Sequence, residues 1–242
     1  MHRIHNLTII GTSHIAKQSV NEIKRYIIDN NPNIVAVELD RNRLSALLQK
    51  KKQQHISFKQ IRHIGFKGFM FAVIGGWIQK KMGKIVQIQP GEDMLTAVKM
   101  AKEHNAKIAL IDQNISITLQ KLSKAFTIKE MWKLFVDMLK GVFFKKREMK
   151  KYGMEKLDLT KVPGKKVIKQ IMRVLKKRYP NIHRVLVHER NVIMARNLSK
   201  IMQQNPDKHI LAVVGAGHED EMFKMIQENN KISYSLTVEN FK

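Results

Sequence analysis

Two stretches near opposite ends of the chain share one design, and that repetition limits the fold more than any other feature. Leu7-Thr8-Ile9-Ile10 runs into Gly11-Thr12-Ser13-His14, and Leu211-Ala212-Val213-Val214 runs into Gly215-Ala216-Gly217-His218. A short, nearly continuous apolar run predicts a strand buried on both faces, as in a parallel sheet. Glycine permits the turn that follows, and the histidine opens a helix. Such a turn lies at the carboxyl edge of an open α/β sheet, where these folds place their ligands. Histidines brought to that edge from both ends of the chain can face one another across a single site.

The intervening residues fill in the same architecture. Val20, Ile23, Ile27 and Ile28 recur at helical spacing within residues 16–30, and Ile34-Val35-Ala36-Val37-Glu38-Leu39 reads as a strand closing on a carboxylate. This is a βαβ unit, with parallel strands and a right-handed crossover, so Glu38 and the first Gly-x-x-His turn emerge at the same edge. A helix is predicted over residues 43–53. Gln89-Pro90-Gly91-Glu92-Asp93-Met94 is a turn entering a helix that runs to about His104, with Glu92 in the first turn, where the helix dipole favours an anion. Residues 106–112 form a further strand, also ending in a carboxylate, Asp112.

Helices are expected over 116–124 and 127–144, the second with Met131, Leu134, Phe135, Met138 and Leu139 as a core-facing stripe. A basic loop over 145–169 leads into a helix over 167–177, which Tyr179-Pro180 stops. One longer helix follows over 182–203, then a strand over 210–214, and residues 233–238 (Ser-Tyr-Ser-Leu-Thr-Val) have strand character. The expected fold is α/β: a mostly parallel central sheet flanked by helices, in a single domain, with a helical, basic insert at about 120–180. Residues 64–78 are apolar and glycine-rich; they suit a helix packed on the sheet or in a homodimer interface, or a membrane-surface element beside Lys80, Lys81 and Lys84.

Charge and composition narrow the partners. The chain carries 45 basic and 20 acidic residues, net +25, and residues 140–178 hold 15 Lys/Arg against 3 Asp/Glu. Such a density attracts nucleic acid, an anionic membrane surface or an acidic partner, unless it is simply solvated helix surface. Nucleic acid is disfavoured, because aromatic residues make up 7% of the chain and no RNP or zinc-finger pattern occurs. The absence of cysteine excludes disulfides, thiolate metal sites and a cysteine nucleophile. With no signal-peptide pattern and no apolar run of membrane-spanning length, the expected location is the cytoplasm, with peripheral membrane docking as an option.

His14, Glu38, Glu92, Asp112 and His218 sit at strand ends or in first helical turns, and Glu189 lies within a helix beside Arg190. Two imidazoles with one or two carboxylates suit a divalent metal ion such as manganese, cobalt or zinc. His14 and His218 would ligate it, with Glu38 or Glu189, and the remaining glutamate would act as general base on the water that the metal activates. Arg43 or Arg190 would stabilise an oxyanion or hold a substrate carboxylate through its planar fork. Each element also has an ordinary explanation as a turn histidine, a helix cap or a surface Glu–Arg pair; their combination points to a site.

The same residues resemble the TraB/PrgY/GumN family. The resemblance rests on Gly11-Thr12-Ser13-His14, Val35-Ala36-Val37-Glu38-Leu39-Asp40-x-x-Arg43, Pro90-Gly91-Glu92-x-x-x-Ala97, Leu110-Ile111-Asp112 and Ile117-Thr118-Leu119. His188-Glu189-Arg190-x-x-x-Met194-Ala195 and Val213-Val214-Gly215-Ala216-Gly217-His218 complete it, in family order over residues 7–218. The family is similar to the Tiki proteins, described as metal-dependent proteases, and to the ChaN and erythromycin-esterase groups, which share the paired Gly-x-x-His motifs. Some members are linked to the shutdown of peptide mating pheromones, and archaeal relatives continue into C-terminal transmembrane helices that do not follow here. The resemblance implies functional positions at His14, Glu38, Arg43, Glu92, Glu189, Arg190 and His218. The family's usual Asp-Arg is replaced by Asp112-Gln113, so that arginine's role is lost or passes to another residue. The expected function is a metal-dependent hydrolase acting on short signalling peptides; the alternatives are a binding protein that sequesters a peptide or ligand, and a basic protein docking on an anionic surface.

Overall fold

The computed structural model of the protein describes residues 1–12, 17–49, 91–143 and 165–239. His14, the apolar stretch at 64–78 and the basic loop at 145–164 lie outside the described residues. Five strands form one sheet in the order β1-β2-β5-β3-β4: β1 (His2–Ile4), β2 (Leu7–Thr12), β3 (Ile34–Val37), β4 (Lys107–Leu110) and β5 (Ile210–Gly215). β1 is an antiparallel edge strand that sequence reasoning missed, being too short to show a pattern. The other four are parallel. The expected α/β fold is therefore present, with β5 inserted between the two strands of the N-terminal βαβ unit.

The chain divides into two compact units, residues 1–54, 88–115 and 188–242 in one, and 55–87 and 116–187 in the other. The first unit holds the sheet. Alternate strand residues supply its two core layers, because successive side chains point to opposite faces. Leu7, Ile9, Ile34, Ala36, Ile210, Ala212 and Val214 pack with Met194, Ala195, Leu198, Met222 and Ile226. On the other face, Ile10, Val35, Val37, Leu211 and Val213 pack with Ile23, Ile27, Met94, Ala97, Val98 and Ala101. Helices α1 (Lys17–Asn30) and α3 (Glu92–Glu103) thus cover one face, and α8 (Glu189–Gln204) and α9 (Ala216–Glu239) cover the other. Between β3 and α3 lies α2 (Arg41–Leu48), capped by Asp40, whose carboxylate accepts the N–H groups of Asn42 and Arg43.

The strand expected over 233–238 is not formed; α9 continues as a helix to Glu239. Its β-branched and aromatic residues favour a strand weakly, and a helix already nucleated upstream propagates at less cost than a new strand forms. The helix expected over 182–203 is also revised. Pro180 opens α7 (Pro180–His183), Arg184–His188 form a π-helical turn, and α8 follows.

The second unit contains α4 (Ile115–Ala125), α5 (Ile128–Phe143), α6 (Lys165–Arg178) and α7. Its core joins Leu122, Phe126, Tyr179, Ile182 and Val185, with Met131 and Leu134 packed against them. Asp137 accepts both the Arg178 guanidinium and the Tyr179 hydroxyl. Burial, and then that hydrogen bond to a carboxylate, push the Tyr179 phenol well above the ordinary tyrosine range. No helix among the described residues is long and apolar enough to cross a membrane.

Candidate functional site

Register brings the two Gly-x-x-His strands side by side. β2 pairs with β5 so that Gly11 lies opposite Val214 and Thr12 opposite Gly215. On the other flank of β5, the Glu38 N–H donates to the Val213 carbonyl, continuing the ladder past the end of β3. The Glu38 side chain therefore turns toward the end of β5, where its Oε2 accepts the Gly215 N–H at 2.7 Å. Glu38 is 2% exposed, a depth at which a carboxylate requires partners for both oxygens.

The second partner is Arg190, two residues into α8. Its Nη2 donates to Glu38 Oε1 and, at 2.6 Å, to Asp112 Oδ2, while its Nε donates to Asp112 Oδ1 at 3.2 Å. Asp112 also accepts from Arg43 Nη1 at 3.0 Å. Burial alone would lower the Arg190 pKa, but the charges of Glu38 and Asp112 and their hydrogen bonds outweigh it and hold the guanidinium firmly protonated. Glu38, Asp112, Arg43 and Arg190 thus balance two negative charges against two positive ones. The arginine absent at position 113 is not needed to satisfy Asp112.

His218, near the start of α9, completes the cluster. Its Nε2 lies 3.4 Å from Glu38 Oε1 and 3.4 Å from Arg190 Nη1, and its Nδ1 is 2.6 Å from Asn191 Oδ1. Glu38, Arg43, Arg190 and His218 are accordingly brought together, joined by Asp112. The Glu189 side chain is half-buried at the start of α8. Glu92 is exposed, whereas its neighbour Asp93 is 1% exposed and accepts the buried Thr12 hydroxyl. Helical spacing carried the signal for this: Asp93, Ala97 and Ala101 share the buried face of α3, and Glu92 does not.

Nitrogen and oxygen donors of this kind suit a divalent cation, and two ligands of one tetrahedral ion at ~2.1 Å from it stand about 3.4 Å from each other. The pair His218 Nε2 and Glu38 Oε1 has that spacing. Among the described residues no group of three such side chains forms a complete ligand set, and the positive charge against these two atoms is the Arg190 guanidinium.

The chain is 30% identical to the uncharacterized protein MJ1365 of Methanocaldococcus jannaschii over 223 residues, 92% of this chain and 54% of that protein. It is 24% identical to the TraB domain-containing protein of Homo sapiens over 253 residues, and 24% identical to that of Mus musculus over 256 residues. Those two alignments each cover 95% of this chain and 65% of the relative, so the chain spans between half and two thirds of the proteins it matches. The model of the TraB/PrgY/gumN family matches residues 2–228, and the chain belongs to that family.

Proposed function

We propose that the protein is a metal-dependent hydrolase acting on short peptides, with its site at the carboxyl edge of the sheet. The observation that carries this reading is the convergence of His218 Nε2 and Glu38 Oε1, 3.4 Å apart, from the ends of adjacent parallel strands. His218 and Glu38 would hold a divalent ion such as manganese, cobalt or zinc, and His14 and Glu189 are the further candidate ligands. A bound ion would polarise a substrate carbonyl and ease the deprotonation of water near neutral pH. Arg190 would then cede part of its contact with Glu38, and Arg43, whose side chain is 32% exposed, would orient a substrate carboxylate. Glu92, exposed on α3, is assigned no catalytic step.

Metal analysis by mass spectrometry on untagged protein tests the first half of the proposal. About one equivalent of ion is expected in the wild type and a large loss in His218→Ala and Glu38→Gln; equal metal content in all three overturns it. Peptide cleavage with added manganese or cobalt tests the second half, and retention of full activity in Glu38→Gln overturns it.

One observation favours a second reading, capture of a peptide or ligand without turnover. Glu38 and Asp112 are both engaged by Arg190, so their oxygens are taken up by structural contacts rather than turned toward a water or substrate. Saturable binding with intact ligand after long incubation with metal would support that reading, and cleavage products would exclude it.

A further inference from the structure

Beneath His218 lies a second layer of polar residues, of which Asn191 and Glu221 belong to no sequence pattern. His218 Nδ1 meets Asn191 Oδ1 at 2.6 Å, Asn191 Nδ2 donates to Glu221 Oε2 at 2.8 Å, and Glu221 Oε1 faces His188 Nδ1 at 2.7 Å. Asn191 is completely buried, while Glu221 and His188 reach the surface with side chains 33% and 49% exposed.

The protonation pattern follows from the carboxylate outward. An ionised Glu221 can only accept hydrogen bonds, so the Asn191 atom beside it must be the amide nitrogen. The atom beside His218 is then the amide oxygen, which also can only accept, and His218 Nδ1 must carry a proton. In the neutral ring the lone pair therefore resides on Nε2, the nitrogen that faces Glu38 and Arg190. On the opposite side of the ring, Arg190 Nη1 can only donate and Glu38 Oε1 can only accept, so the tautomer is decided at Nδ1. The chain is not a proton wire, because an amide cannot relay a proton by simple hopping; it is an orienting device.

We infer that Asn191 and Glu221 are positioning residues that lock His218 in the Nδ1–H tautomer and aim the Nε2 lone pair into the site. The importance of this tautomer rests on the proposed role of His218 as a ligand, but the lock is a property of the protein without metal. It matches the general requirement that a ligating imidazole donate its other N–H to a fixed acceptor. Glu221 follows His218 by three residues on α9, and Asn191 follows Arg190 on α8, so two packed helices supply both halves of the lock.

The test is the ring carbon and nitrogen chemical shifts of His218 in metal-free, isotope-labelled protein, assigned with His218→Gln, at a pH well above the ordinary histidine pKa of about 6.5. The wild type should show the Nδ1–H form alone. Glu221→Gln frees the Asn191 amide to turn over and should populate the Nε2–H form by several tenths. Asn191→Ala should release the ring, and Asn191→Asp, which still accepts from Nδ1, should restore the wild-type tautomer. An Nε2–H ring in the wild type overturns the inference, as does a ring unmoved by both Glu221→Gln and Asn191→Ala. Should Asn191→Ala fail to fold, Glu221→Gln at the partly exposed site decides the question alone. None of these readings depends on metal uptake or cleavage, so failure of the lock and failure of the hydrolase reading are separable.

Discussion

Arg190 is bonded at once to Glu38, at the end of β3, and to Asp112, just past β4, so one guanidinium ties together carboxylates delivered by two neighbouring strands. Both carboxylates are nearly inaccessible, with side chains 3% and 1% exposed. Replacing Arg190 with methionine leaves them facing each other without that cation, and breaking a buried ion pair in this way costs about 3–5 kcal/mol. Urea unfolding should show that loss at neutral pH. It should shrink as pH falls, because a carboxylate stranded in the folded state binds a proton more tightly than in the unfolded chain. A loss independent of pH would show that packing, not charge, dominates at Arg190.

Thr12→Val tests the join between the first Gly-x-x-His strand and α3. Thr12 and Asp93 are each 1% exposed, and the substitution removes a donor from a buried carboxylate while preserving shape. A loss of about 1–3 kcal/mol in chemical denaturation is expected. Glu92→Gln, on the exposed neighbour, should fall within about 0.5 kcal/mol of wild type.

Gly91 immediately precedes α3 with φ of 86°, a left-handed conformation that side chains resist, and a Cβ there would press on Leu47. Gly91→Ala should therefore lower stability by about 1–2 kcal/mol without changing metal content.

In the second unit, Tyr179 should resist ionisation through the range near 10 where ordinary tyrosines titrate. Its folded pKa is raised, by burial first and then by Asp137, so its contribution to stability is intact below the unfolded value and falls as pH rises above it. Asp137→Asn should bring the titration down partway, since burial remains. Ultraviolet absorbance during alkaline titration, with Tyr179→Phe to identify the signal, is the measurement.

On α6, Lys169, Arg173, Lys176 and Lys177 are all exposed, at spacings that place them along one side of the helix. If this stripe docks on anionic lipid, sedimentation with vesicles rich in phosphatidylglycerol should be strong at low salt and weaken steeply as salt rises. Replacing the four with glutamine should reduce it several-fold. Binding that is unchanged in the quadruple variant would place the docking surface elsewhere.

Much of this architecture was legible in the residues, for reasons that differ from element to element. β2, β3 and β5 are buried on both faces, so their apolar runs stand out. Topology alone placed Glu38 beside the first Gly-x-x-His turn, whose His14 lies outside the described residues, while the repeated motif pointed to His218, which lies 3.4 Å from Glu38. The insertion of β5 between β2 and β3 was not legible, because runs such as Ile34–Val37 and Ile210–Val214 offer equivalent apolar surfaces to either neighbour. The choice between Glu92 and Asp93 was open to helical spacing, but both lie in the first turn of the helix, where the dipole favours either carboxylate. Asn191 and Glu221 carry no motif; the three-residue step from His218 to Glu221 was the available clue. Residues 233–238 misled because local preference for strand is weak beside a helix already under way.

The position of β5 has a consequence for how the molecule comes into being. β2 and β3 are made long before β5, yet neither bonds to the other, and each acquires a partner in β5 only after residue 215 has been made. Pairings that span this much of the chain close slowly, because loop-closure entropy must be overcome before they form. The nascent chain therefore carries two unpaired parallel edges until β5 is made, exposed to the self-association that such edges invite. Completion of the sheet and assembly of the Glu38–His218 pair are one and the same event, so a chain made only as far as β4 cannot display the site.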